Sequence, residues 1–190
     1  MLRLEGKADE GIALLIQTMP EAEQAYARNS RDLATRYANL ATHLVMANRI
    51  TEAEKVIGRA ETLLSQSDAM RSPAGLTLEK LRASIMARRG DIAGAEALFR
   101  TVAALRRELY GPSFSLAVDL LQHGRLLNQL GRPAEALKTI DEARSMAAEH
   151  FGPKGSLPLL IDLARADALL RLGRTSEAQT VLIAIESILG

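Results

Sequence analysis

Apolar residues return every three to four positions along most of the chain, and the runs that carry this period stop at glycine, asparagine or proline. The period is that of an amphipathic α-helix. It predicts helices over residues 8–28, 31–47, 51–67, 76–89, 92–108, 114–129, 133–149, 157–171 and 175–189. The stops alternate between two kinds. Short ones centre on Asn48, Gly90, Gly131 and Gly173, whereas longer ones carry SPAG at 72–75, YGPS at 110–113 and FGPKG at 151–155, where Gly and Pro break helices. Pro20 lies inside the first predicted helix. A proline there either kinks that helix or opens a longer one running on through Asn29 and Ser30; the kink is the reading adopted.

A longer period underlies the short one. Aligned on itself, the chain shows five anchors, Gly6, Asn48, Gly90, Gly131 and Gly173, at successive spacings of 42, 42, 41 and 42 residues. Five positions after each anchor stands a small residue: Gly11, Ala53, Ala95, Ala136 and Ala178. Seven positions before the last four anchors stand Ala41, Ala83, Gly124 and Ala166, and four before them Leu44, Met86, Leu127 and Leu169. Nine positions after the same anchors come Ile57, Phe99, Ile140 and Leu182. This is the register of a repeated antiparallel helical hairpin, in which small residues let two helices approach and large ones fill the space beside them. The anchor is the turn, because Gly and Asn tolerate the left-handed conformation that ends a helix. Thr51 with Glu54 reads as a capping box, Asp91 and Thr175 as N-caps, and Pro133 as a first-turn residue.

Composition narrows the chemistry. Hydrophobic residues make up 47% of the 190, enough for one domain's core, but aromatics only 3%, so the core is aliphatic and suits packed helices. Lys and Arg number 24 against 23 for Asp and Glu; the net charge of +1 gives no bulk field for nucleic acid or an anionic membrane. With no cysteine there is no disulfide, thiol nucleophile or thiolate metal site. His43, His123 and His150 fall in different hairpins without ligand spacing, so they read as packing or surface residues and no metal site is expected. There is no Gly-rich phosphate loop, nucleophile elbow or acid–base carboxylate pair, and Gly131-Arg132 and Gly173-Arg174 are explained as helix ends. Neither catalysis nor a cofactor is expected. The N-terminal MLRLEGKADEG lacks the apolar stretch of a signal peptide, and no uncharged run approaches the roughly 18 residues of a membrane helix, so the expectation is a soluble, cytoplasmic protein.

The small residue of the first helix, the Gly or Asn turn, the pairs Glu52-Ala53, Glu135-Ala136 and Glu177-Ala178, and the hydrophobic residues after them resemble the tetratricopeptide repeat family over almost the whole chain. The usual repeat is about 34 residues; the longer period here, with YGP and FGP between hairpins, is similar to the kinesin-light-chain type. The resemblance implies an all-α fold, a right-handed α-solenoid of stacked antiparallel hairpins in a single domain. A half repeat over 1–29 would precede repeats over about 30–71, 72–112, 113–154 and 155–190. Glu79 and Arg82 depart from the mostly apolar pattern of their columns, as do Asp162 and Arg165 in the last repeat, which implies partly exposed helices.

In this family the first helix of each pair lines a concave groove. The register then places Thr35, Ala38 and Thr42, then Thr77, Lys80 and Ser84, then Val118, Leu121 and Arg125, then Leu160, Leu163 and Asp167 along it. Arg88, Asn128, Gln129 and Arg171 fall near its rim. Such a face implies a non-catalytic protein-interaction module or scaffold that binds a peptide segment of a partner. Lys80, Arg88 and Arg125 are the expected contacts for an acidic segment; the alternative is that they form a solvated helix face. The Lys and Asn set with which family members grip a C-terminal carboxylate is absent, since Ala38 and Thr42 occupy its first columns. The alignment opens on the second helix of a hairpin and closes on VLIAIESILG without a polar cap. A second expectation follows, an oligomerisation or regulatory segment of a larger bacterial signalling protein, packing on its own chain or dimerising through Val181, Ile185, Ile188 or the first helix.

Overall fold

A computed structural model describes residues 2–26, 30–66, 70–151 and 155–189. Among them are nine α-helices and no strand: α1 (Leu2–Ala25), α2 (Ser30–Met46), α3 (Ile50–Gln66), α4 (Pro73–Arg88), α5 (Ile92–Tyr110), α6 (Phe114–Gln129), α7 (Pro133–Phe151), α8 (Ser156–Arg171) and α9 (Thr175–Leu189). The chain forms two compact units, Met1–Arg88 and Arg89–Gly190. In the first, α2 packs on α1, α3 and α4, and α3 meets α4. In the second, α6 packs on α5, α7 and α8, α7 packs on α8, and α8 packs on α9. First helices therefore lie side by side within each unit, α2 with α4 and α6 with α8. No helix among the described residues is long and apolar enough to cross a membrane.

The anchors are the turns. Asn48, Gly90, Gly131 and Gly173 adopt positive φ of 60°, 91°, 71° and 73°. At three of them the following N–H reaches back five residues, from Arg49 to the Leu44 carbonyl (2.8 Å), Arg132 to Leu127 (2.9 Å) and Arg174 to Leu169 (2.9 Å), so the last helical carbonyls are satisfied. Gly6 corrects the alignment: it lies inside α1, which begins at Leu2, because Leu, Arg, Glu, Lys and Ala around it are strong helix formers. The small columns carry the hairpin contacts. Ala41, Ala53, Ala83, Ala95, Ala136, Ala166 and Ala178 are buried, as are Leu44, Leu127, Leu169, Ile57, Phe99 and Ile140. Leu182, the last of its column, is 37% exposed.

The helix starts revise the expected caps. Arg49, Arg132 and Arg174 occupy the cap position, their carbonyls accepting the N–H of Ala53, Ala136 and Ala178, so Thr51 and Thr175 fall inside the first turn. Each arginine then grips the glutamate three residues on through two bonds, Arg49 to Glu52 (2.7 and 2.7 Å), Arg132 to Glu135 (2.6 and 2.6 Å) and Arg174 to Glu177 (2.6 and 2.7 Å). The fork of a guanidinium matches a carboxylate, and the acid sits where the helix dipole favours it. Asp91 caps α5 as expected, accepting the Gly94 N–H at 2.9 Å, and Pro133 is the first residue of α7. α4 begins earlier than the pattern predicts, since Ser72 Oγ accepts the Gly75 N–H (3.2 Å) and Pro73 takes the first helical position; SPAG opens the helix instead of preceding it. α1 continues through Pro20 to Ala25, and α2 starts separately at Ser30; Asn29 lies outside the described residues.

Charge in the apolar columns is used between hairpins. Arg82 of α4 pairs with Glu61 of α3, Asp162 of α8 with Arg144 of α7 (2.6 Å), and Arg165 of α8 with Asp141 of α7 (2.7 Å). In each pair one partner is exposed and the other half-buried, and ion pairs near the surface contribute about 0–1 kcal/mol each. The joint between α5 and α6 is different. Arg106 donates to Asp119 at 2.6 Å and His123 meets Glu96 at 2.7 Å, all four side chains being buried. His123 is thus a packing residue, His43 is exposed, and the His150 side chain lies outside the described set.

Candidate functional site

On the first unit, the faces of α2 and α4 enclose a cavity of about 290 Å³. Arg31, Thr35 and Asn39 line it from α2, Pro73 and Thr77 from α4 and Ser72 from the position before α4, with Ala38 and Ala74 contributing the remaining wall. Thr35, Ala38 and Thr77 were expected on the groove. Their neighbours Thr42, Lys80 and Ser84 are half-buried on the same two helices. Every hydroxyl proton among them is already used: Thr35 donates to the Arg31 carbonyl (2.9 Å), Thr42 to Ala38 (2.8 Å), Thr77 to Pro73 (2.8 Å) and Ser84 to Lys80 (3.0 Å). What remains toward a ligand is acceptor lone pairs. Arg31 and Asn39 are exposed, and among the described residues neither has a side-chain partner and no carboxylate lines the cavity.

Sequence reasoning missed Arg31 and Asn39, although the signal was present: residues 31, 35 and 39 are spaced by four and share one helix face. Arg88 is exposed, but its guanidinium donates to Asn48 Oδ1 at 3.1 Å, so it ties helix to turn.

The second unit departs further from expectation. Leu121 is 1% exposed and belongs to the core, because α6 packs on three helices and its apolar stripe widens into the groove column; it is not available to a ligand. Val118 packs partly buried against the same core. Asn128 is 2% exposed rather than at a rim. Its Nδ2 donates to Asp167 Oδ2 (2.9 Å), while Arg171 Nε holds the same carboxylate at 3.0 and 3.1 Å. The Asp167 charge is therefore neutralised in place. Arg125, half-buried on α6, has no ion-pair partner among the described residues. The Asn128–Asp167 bond also sets the register of α6 against α8, and one turn back along both helices brings Arg125 level with Leu163. Leu160 and Leu163 are 44% and 45% exposed, and Gln129 is exposed beyond them. No group of His, Asp or Glu among the described residues could hold a metal ion.

Models of the tetratricopeptide repeat match residues 83–115, 120–142 and 160–182. No curated protein matches the chain. Among solved structures, a kinesin-light-chain-type protein of Podosopora anserina with nearly identical TPR-like repeats is similar at 19% identity, with a TM-score of 0.66 over 97% of this chain and 88% of that one. Its Q17M variant gives 20% identity and a TM-score of 0.68 over 96% and 87%. BtubC (BKLC) from P. vanneervenii is similar at 16% identity, with a TM-score of 0.79 over 98% of this chain and 74% of that one. At these identities the likeness is one of fold, an all-α helical-repeat solenoid.

Proposed function

Because the chain belongs to the tetratricopeptide repeat family, whose repeats are in general protein-interaction modules, we propose that it is a non-catalytic, cytoplasmic scaffold whose first helices bind a segment of a partner protein. The preferred segment is extended and acidic. The observation that carries this reading is the cavity between α2 and α4, where, among the described residues, one guanidinium and one amide have no side-chain partner, hydroxyl acceptors are present and no carboxylate lines the wall. An Asp or Glu side chain would pair with Arg31, and the Asn39 amide, donor and acceptor at once, would hold the neighbouring peptide group. On the second unit Arg125 supplies another cation, with Leu160 and Leu163 beside it for an apolar side chain. The test is a peptide-display selection on the chain and on a folded Arg31→Glu, Arg125→Glu variant at low and high salt. Acidic peptides recovered by the first, lost by the second and weakened by salt support the reading; equal recovery by both refutes it.

Exposed apolar residues on α9 favour a second reading, self-association. The residues concerned are Leu182 and Ile183, because Ile185, expected to take part, is buried within the chain. A mass that rises with concentration in the native chain, and falls to the monomer in Ile183→Glu, would support it; a concentration-independent monomer mass would exclude it.

A further inference from the structure

A second concave site lies in the first unit, away from the α2 and α4 cavity. Residues of α1 and α3 wall a crevice over α2, and three polar side chains meet in it: Tyr37 donates its hydroxyl to Glu23 Oε1, and Arg59 Nη1 stands 3.9 Å from the same oxygen. On one side of this bridge is a cavity of about 290 Å³ bounded by Ile16, Met19, Pro20, Leu40 and Val56. A cavity of about 280 Å³ with Leu33, Thr62 and Leu63 lies on the other.

The unusual wall is α1 itself. Pro20 has no N–H to give, so the Ile16 carbonyl lacks the main-chain donor that every regular helical residue provides four positions on. That oxygen and the Glu23 carboxylate both belong to residues lining the larger cavity, to which Met19, Leu40 and Val56 add aliphatic surface. Arg59 competes weakly. Its side chain is 69% exposed and sits at the limit of an ion pair. At the same two repeat positions of the second unit, Arg107 and Glu142 are directly paired, and Leu120 replaces the tyrosine. Tyr37 thus holds one oxygen of the half-exposed Glu23 carboxylate at the crevice, where burial first and the carboxylate second push the phenol's own pKa up.

We propose that this crevice binds an aliphatic primary ammonium ion. The ammonium, a donor of three hydrogen bonds and no acceptor, sits between Glu23 and the Ile16 carbonyl, and its alkyl chain lies on Met19, Leu40 and Val56. The volume is at the lower end of ligand pockets, about 300 Å³, which suits a short alkyl chain such as a free amine or a lysine side chain.

The test is an amide-shift titration of the ¹⁵N-labelled full chain with pentylammonium, with pentanol and pentanoate as controls. Saturable shifts at Met19, Glu23 and Val56 are expected with the amine, and at least about tenfold weaker binding with either control. A blocked tripeptide with a central lysine distinguishes the sources: binding of it as well assigns a lysine side chain, and binding of pentylammonium alone assigns a free amine. Glu23→Gln should weaken the amine at least about tenfold, and Arg59→Ala should leave it unchanged or tighten it. Pro20→Ala restores the donor to Ile16, so it should weaken binding while raising the melting temperature, a combination that misfolding cannot produce. Equal binding of pentanol, tighter binding of pentanoate, no saturable shift, or indifference to both Glu23→Gln and Pro20→Ala would overturn the proposal.

Discussion

Gly58 and Gly124 both lie inside helices, α3 and α6, yet the same substitution to alanine should move stability in opposite directions. At Gly58 a Cβ would meet nothing within 4 Å, so the helix propensity gain of about 1 kcal/mol should be realised almost in full. At Gly124 the Cβ would stand 2.5 Å from Ile140 Cγ1 and 3.0 Å from its Cδ1, against an optimal carbon contact of about 3.5–4.0 Å. Ile140 is fully buried and β-branched, with one strongly preferred rotamer in a helix, so it cannot swing aside. Overfilling a packed core costs about 1–3 kcal/mol, and the overlap places this case near the top of that range. Less the propensity gain, Gly124→Ala should destabilise by about 1–2 kcal/mol. Urea unfolding followed by circular dichroism measures both variants on one scale. A third protein sharpens the argument: in an Ile140→Ala background, itself about 2–5 kcal/mol less stable, adding Gly124→Ala should stabilise because the clashing atoms are gone. If Gly124→Ala raises stability in the native background as Gly58→Ala does, the proposed tight contact between α6 and α7 is wrong.

Three further outcomes follow from the same geometry. Ala136→Leu, at a fully buried position of that hairpin, should cost about 1–3 kcal/mol, and an unchanged melting temperature would remove the contact from the account. Asp119→Ala strands the buried Arg106 guanidinium and should cost about 3–5 kcal/mol in urea unfolding; a loss below about 1 kcal/mol would mean that the pair is solvated. The hydrogen bond from Arg49, Arg132 or Arg174 holds the carboxyl of Glu52, Glu135 or Glu177 below the usual range, so each clamp is complete above about pH 4.3 and is lost as pH falls through the lower folded value. Carboxyl titration by NMR should show the three midpoints depressed and Arg49→Gln returning Glu52 upward; an unmoved Glu52 would show that the clamp does not form in solution.

The repeat made the hairpins legible, because a turn needing positive φ and a contact needing a small residue leave few residue types to choose from: Asn48, Gly90, Gly131 and Gly173 are turns, and the alanines five positions on are buried. Gly6 shows the limit of that logic, since a glycine permits a turn without requiring one. Cap residues were misplaced for a related reason. Threonine at 51 and 175 satisfies a local rule, whereas the arginine clamp depends on a side chain long enough to span the first turn. On α2 and α4 the expected positions Thr35, Ala38 and Thr77 line one cavity, and Arg31 extends the same face by one turn. On α6 the groove positions were misread, because Leu121 and Asn128 are buried by contacts that depend on how three helices meet. The buried charges Glu96, Arg106 and Asp119 carry no periodic signal that separates them from surface charge.

The central claim is that the first-helix face is the ligand face. The chain has no cysteine, so Thr35→Cys and Thr77→Cys each give one labelling site on that face, and Lys55→Cys gives one on the exposed surface of α3. Each would carry a benzophenone and be photolysed with a library of acidic peptides. The account predicts adducts at residues 35 and 77, lost on adding Arg31→Glu, and none at 55. Equal capture at 55, or capture that survives Arg31→Glu, would contradict it.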